Sequence, residues 1–222
     1  MYARLPDGLT AAILFVVTLA ASSAAKAEEN IMCSDQVKPV PRIELPLPCD
    51  MSPEQRAVYD QAVNFFGAPI GPRIALMITP EVATRWSDLL TALEKSTLSR
   101  RLWELTILFV AREWDSQFEW WAHEAPALRQ GLSHEVVEAL RRGERPAFEN
   151  ADEAAVYQYL TELMHDHRVT DPTYDALKAH IGSRQVVELT VLAGHYANVA
   201  MTLAAHDVQL PPDVDPPLPS RQ

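Results

Sequence analysis

Two stretches of this chain, residues 104–111 (ELTILFVA) and residues 188–195 (ELTVLAGH), each set a glutamate inside an apolar run. An ionised carboxylate taken out of water without partners is costly, and it escapes by pairing or by protonation. Glu104 therefore needs a partner or a task. One reading makes it a structural carboxylate held by a buried arginine, with Arg73, Arg100, Arg101 and Arg112 as candidates. The other makes it a proton-handling group with a raised pKa. A second set of side chains follows in DSQFEWWAHEAPALRQ, where Ser116, Glu119 and His123 fall three and four residues apart. That spacing lines one face of a helix and brings Glu119 within reach of His123. A carboxylate beside an imidazole fixes its tautomer and raises its basicity, which suits general acid–base work. Trp120 and Trp121 would wall such a site. The plainer alternative is a solvated Glu–His pair of small energetic weight.

The elements that must position these groups read as helices. Ser52-Pro53-Glu54 opens the first, which ends at Gly67. Thr79-Pro80-Glu81 opens the second, to about Glu94. A third runs from Ser99 to Glu113 and a fourth from Asp115 to Gln130, with Pro126 inside it and Gly131 after it. Ser133 starts a short fifth that ends at Gly143. The run from Asn150 to Glu153 reads as a capping box for the sixth. Pro172–Ile181 and Ser183–His206 are the seventh and eighth. No stretch keeps a two-residue alternation, so the expected class is all-α. The third and eighth helices are apolar nearly all round, as buried central helices are, and neither is long and uncharged enough for a membrane span. Their shared E-L-T-[IV]-L, followed by His123 and His206 at 19 and 18 residues, suggests an internal duplication.

Residues 1–27 read as a secretory signal: Arg4, an apolar run from Leu9 to Ala21, then Ala25-Lys26-Ala27 before the cleavage point. The alternative is an uncleaved anchor. Export to a periplasmic or secreted location is the expectation. The net charge of -11 becomes -12 once Arg4, Lys26 and Asp7 are removed. Such a surface repels phosphates, so nucleic acid is not an expected partner, and stable membrane insertion after cleavage is not expected either. Residues 28–50 form a proline-rich arm containing Cys33 and Cys49, the only two cysteines. In an oxidising compartment they are expected to pair, the alternative being two separate thiols. Residues 51–210 form the main domain. Residues 211–222, beginning PPDVDPPLPS, form a tail expected to be extended and loosely held.

The runs GPRIALMITPEVATRWSDLL, RRLWELTILFVAREWDSQFEWWAHEAPALRQGLSHEVVEAL and VVELTVLAGHYANVAMTLAAHDVQLP resemble the carboxymuconolactone decarboxylase family, which has the AhpD-like all-helical fold. The likeness spans roughly Met51 to Leu210. It implies a homo-oligomer, trimer or hexamer, with sites near subunit contacts. In the AhpD-like disulfide-reductase branch, a glutamate is followed at 12, 15 and 19 residues by Cys, Cys and His. Those spacings from Glu104 land here on Ser116, Glu119 and His123. Serine and glutamate cannot cycle between thiolate and disulfide, so peroxidase or disulfide-reductase chemistry is not expected.

The decarboxylase branch lacks the cysteine pair and carries a segment like that from Glu119 to His123. It implies loss of carbon dioxide from a small carboxylated lactone without cofactor or metal. On that reading His123 donates the proton, Glu119 orients it, and Glu104 helps pass the proton. Arg112 or Arg73 holds a substrate carboxylate, with Ser116, Trp120 and Trp121 around the substrate. An exported chain meets different substrates from a cytoplasmic pathway enzyme, so a noncatalytic oligomeric ligand-binding or scaffold protein stands as the alternative. That alternative predicts Glu104 and His123 occupied by structural partners and no cavity. Of the other histidines, His165 and His167 lack the further ligands a metal site needs, and His195 reads as a core histidine that could also face the site.

Overall fold

The computed structural model describes residues 42–66 and 70–220. Eight α-helices form among them: α1 Pro53–Phe66, α2 Pro72–Leu76, α3 Pro80–Leu93, α4 Arg100–Glu113, α5 Gln117–Arg129, α6 His134–Arg142, α7 Ala151–Thr161 and α8 Asp171–His206. No strand forms among the described residues, as expected. The signal segment, Cys33 with most of the arm, and Gly67 lie outside them. Cys49 is disulfide-bonded; Cys33, expected to pair with it, is outside the described residues.

Helix α4 is the axis of the fold. Every residue from Leu102 to Arg112 is buried, because α5, α7 and α8 pack around it. An all-round apolar helix is stable only in such surroundings. Ser99 starts it by accepting from the Leu102 amide at 3.3 Å, which satisfies one of the first-turn donors. Arg101 then ties α4 to α7 through Asp152, at 2.8 Å, and Glu153.

That clamp corrects the capping box expected at Asn150. The Asn150 side chain bonds the Glu153 carboxylate rather than a backbone amide, because Arg101 has already captured Glu153. The reciprocal box forms instead at α1, where Gln55 N donates to Ser52 Oγ at 3.2 Å and Ser52 N donates to Gln55 Oε1 at 3.0 Å.

Two further elements depart from expectation. The expected seventh and eighth helices run on as α8, interrupted only at Gly182, whose φ of 80° and ψ of 158° lie outside helical space. By length and composition α8 would serve as a membrane span, but half of its most apolar window is buried inside this fold. Helix α2 is too short to leave a periodic signal. It begins after Gly71, at φ 64°, where an added Cβ would stand 2.7 Å from Phe118 Cε1. Glycine is what allows α2 to close against α5.

The tail is extended but not loose. Leu218 is only 3% exposed. Gln117, at the start of α5, donates to Leu218 O at 3.0 Å and accepts from Leu218 N at 2.8 Å. Arg141 donates to Pro217 O at 2.7 Å. Two satisfied amide bonds at a partly buried site contribute about 1–2 kcal/mol. Gln117→Ala is therefore expected to lower stability by about that much in urea unfolding, and to cost nothing further in a chain ending at Pro216. Equal losses in both backgrounds would show that Gln117 does not hold the tail.

Candidate functional site

Helices α4, α5 and α8 bring together the titratable groups picked from sequence. Glu104 leaves α4 towards α5 and meets His123 there, Oε2 to Nδ1, at 2.9 Å. With Glu104 as a carboxylate, Nδ1–H donates to it and the other ring nitrogen is left for chemistry. Tyr196 on α8 stands edge-on to the imidazole, centroids 5.2 Å apart. Burial, then the nearby Glu104 and Glu119 carboxyls, push the Tyr196 phenol up, so it stays protonated.

Glu119 shares a face of α5 with His123 but does not orient it, contrary to the sequence reading. Its carboxyl is 2% exposed and neither oxygen makes a well-formed hydrogen bond, the Ser116 hydroxyl lying near without completing one. Burial disfavours the charged form and pushes its pKa up to about 8; the Ser116 hydroxyl, one turn earlier, pulls the other way without offsetting this. The two glutamates thus exchange their expected roles. Glu104 is the orienting partner, and Glu119 is the acid kept protonated at neutral pH.

Both α5 groups line a cavity of about 450 Å³, within the ordinary range for small-molecule sites. Its walls are largely apolar, with Phe118, Trp121, Trp86, Leu90 and Val199 among them. Helix α8 adds His195, 4% exposed, whose Nε2 has no partner. Its ring lies 4.6 Å from that of Trp86, and Trp86 is fixed by donating Nε1–H to Asn198 at 3.1 Å. Burial pulls the His195 pKa down to about 4, so the imidazole is neutral. His195 is a member of the site rather than a satisfied core histidine. The orphaned nitrogen is the signal, and it exists only in three dimensions.

Two cations complete the lining. Arg73, from α2, is half-buried, reaches Gln61 at 3.2 Å and Ser87 at 3.4 Å, and lies 5.7 Å from the Trp86 ring centroid. Arg129, at the exposed end of α5, also lines the cavity and makes no ion pair with a described residue. Sequence reasoning passed over Arg129 because an arginine in a last helical turn ordinarily serves the helix dipole.

Three expected substrate contacts lie elsewhere. Arg112 is bonded to Asp115 and faces a separate cavity beside Gly143. Trp120 is fully buried on another face of α5, donating to Glu124 at 3.1 Å with the Arg141 guanidinium 5.2 Å from its ring centroid. One residue is a turn of about 100° on a helix, so Trp121 walls the cavity and Trp120 does not. Ser116 borders a different cavity, near the end of α8, though its buried hydroxyl stands beneath Glu119.

The repeated pentapeptide does not repeat the chemistry. Glu188 accepts from Ser96 and from Arg184, the latter at 2.7 Å, and these bonds hold its carboxyl below the usual range. No hydrogen bond joins it to His206. His165 pairs with Glu113 at 2.9 Å. Among the described residues no three His, Cys, Asp or Glu side chains are grouped to hold a metal ion.

No family model and no curated protein matches this chain in sequence. Solved structures do match in shape. An uncharacterized peroxidase-related protein with an alkylhydroperoxidase AhpD core, from Ralstonia eutropha JMP134, superposes with a TM-score of 0.66 at 12% identity, over 80% of this chain and 95% of that one. A second peroxidase-related protein, from Silicibacter sp. TM1040, gives 0.63 at 15% identity, over 79% and 94%. A protein of unknown function from Agrobacterium tumefaciens, described in connection with the antioxidant defence protein AhpD, gives 0.55 at 19% identity, over 62% and 95%. Together with the helix order, these place the chain among all-α proteins of the AhpD-like fold. That is the fold carried by the resemblance to the carboxymuconolactone decarboxylase family. At these identities the likeness is one of fold, and the reading of function rests on the site.

Proposed function

We propose that this protein is an exported, cofactor-free acid–base enzyme that removes carbon dioxide from a small carboxylated, lactone-like molecule. One observation carries the reading: a single largely apolar cavity is lined by an imidazole backed by a carboxylate and, on the same helix face, by a glutamate whose buried carboxyl makes no ion pair. The buried carboxyl does nothing for folding, and both dispositions suit proton transfer. A noncatalytic scaffold gives no reason for the cavity or for its unpaired polar atoms.

The chain's residues divide the reaction as follows. Arg129, with Arg73 beside Trp86, holds the substrate carboxylate at the mouth. The bond between carboxylate and ring breaks, carbon dioxide leaves, and the electron pair moves into the lactone carbonyl. Neutral His195, as its Nε2–H tautomer, donates to the developing enolate oxygen, as a neutral imidazole can where an imidazolium would be over-stabilised. The Glu119 hydroxyl protonates carbon, and His123, held by Glu104, takes a proton from solvent on its other ring nitrogen and passes it to Glu119. The apolar walls keep competing water away. Peroxidase chemistry, named for the fold neighbours, has no thiol here at positions 116 and 119. The homo-oligomer and the periplasmic or secreted location belong to the same proposal, supported by the family resemblance and the N-terminal sequence.

The test is release of carbon dioxide from a panel of carboxylated γ-lactones. Turnover is expected for at least one. Arg129→Ala should raise its KM about 10- to 100-fold, the loss of one charge-assisted hydrogen bond, with kcat little affected. No turnover of any member, with no thermal shift on adding them, would overturn the reading.

A further inference from the structure

We propose that the cavity selects a ring carrying a hydroxyl or N–H donor opposite its carboxylate, and reads that donor through the main-chain carbonyl of Ala122, which Pro126 leaves without its helical partner. This rests on the reading above and names a feature of the substrate. In an α-helix each carbonyl accepts from the amide four residues later. Proline has no amide hydrogen, so the Ala122 oxygen has no donor at that place. Pro126 lies well inside α5, not in the first turn where proline is harmless, and the helix continues past it to Arg129. Among the described residues no group outside α5 donates to the Ala122 oxygen.

The place of this gap in the fold gives it a use. Ala122 and Pro126 both line the cavity. A helical carbonyl points along the axis towards the C-terminus, here from the first of these residues towards the second, and the proline ring crowds it outwards. The oxygen therefore stands in the cavity wall as a backbone acceptor among apolar neighbours such as Phe118 and Trp121. An acceptor there repels a carboxylate and attracts a donor. It also fixes which way a ligand enters. Arg129 lies seven residues further along the same helix and lines the same cavity, about 10 Å away at the helical rise. A small ring with a hydrogen bond at each end covers that distance. The carboxylate goes to Arg129 and the donor to Ala122. A ring lacking the donor leaves the carbonyl unsatisfied once water is displaced, and is disfavoured for that reason.

The probes are 4-hydroxybenzoate, benzoate and 4-methoxybenzoate, titrated calorimetrically into the full-length protein at pH 7. The methoxy compound matches the first in shape without its donor. The expected result is that 4-hydroxybenzoate binds about 5- to 10-fold more tightly than either of the others, the worth of one neutral hydrogen bond. Pro126→Ala supplies the missing amide, which occupies the Ala122 oxygen. In that variant the preference should fall below 2-fold while benzoate affinity stays within 2-fold of the parent. Equal affinities in the parent, binding of none of the three, or an undiminished preference in Pro126→Ala would each overturn the proposal. So would an equal loss of affinity for all three probes in the variant, which marks Pro126 as shaping the helix only. Carbon dioxide release from the lactone panel is scored separately. Release without any donor preference leaves the lyase reading standing and removes the acceptor; donor preference without release supports the acceptor and removes the lyase reading.

Discussion

Glu119→Gln will abolish a fall in stability that the native protein shows between pH 6.5 and 8. The sign follows from which state holds the proton. The Glu119 pKa is raised from 4.5 to about 8 in the fold, so between those values the folded chain keeps a proton that the unfolded chain has released. Its contribution is full below 4.5 and is lost as pH rises through 8. His195 acts in the other direction. Its pKa is lowered from 6.5 to about 4, so its contribution is full above 6.5 and is lost as pH falls towards 4. The two slopes oppose each other at acid pH, and only Glu119 operates between 6.5 and 8. One buried group titrating alone changes stability by about 1.4 kcal/mol per pH unit. Urea unfolding of both proteins at the two ends of this window should show a difference of roughly 2 kcal/mol on that slope, with the glutamine variant the less pH-dependent. Parallel pH profiles would mean that Glu119 is ionised in the folded protein.

His123→Ala should remove most of the decarboxylase activity, by roughly 100- to 10,000-fold in kcat, as loss of a positioned acid–base group does. The same change leaves the Glu104 carboxylate buried beside α5 without its partner, at a cost of about 1–3 kcal/mol. His123→Asn separates the two effects, because its amide can still donate to Glu104. The asparagine variant should recover much of the stability and none of the turnover. Activity within a few-fold of the parent in either variant, at saturating substrate, would remove His123 from the chemistry.

The meeting of Glu104 with His123 was legible from the resemblance: their separation of 19 covers about two and a half turns of α4, a tight turn and nearly two turns of α5, which brings His123 back alongside Glu104. The AhpD-like resemblance supplied the same spacing. What each group does was not legible. A separation of four residues allows Glu119 to touch His123, but the imidazole turns instead towards α4, and nothing in the spacing of α5 records that choice. Helical phase was the other difficulty. Trp120 and Trp121 differ by one position, and a small error in the assumed face exchanges a core residue for a cavity wall.

Near-identical pentapeptides, ELTIL and ELTVL, behave differently for a similar reason. Glu104 sits among helices on every side, whereas Glu188 is near enough to the surface for Ser96 and Arg184 to hold it ionised. The tail misled because proline-rich composition forecasts extension but says nothing about docking, which here depends on one glutamine amide matching one backbone position.

The account depends most on a protonated carboxyl buried beside the cavity that holds His123. The difference infrared spectrum between the protein and Glu119→Gln at pH 7 reads it directly. The prediction is a protonated-carboxyl carbonyl band, present only in the parent and titrating away near pH 8. A carboxylate band in its place at pH 7 would contradict it.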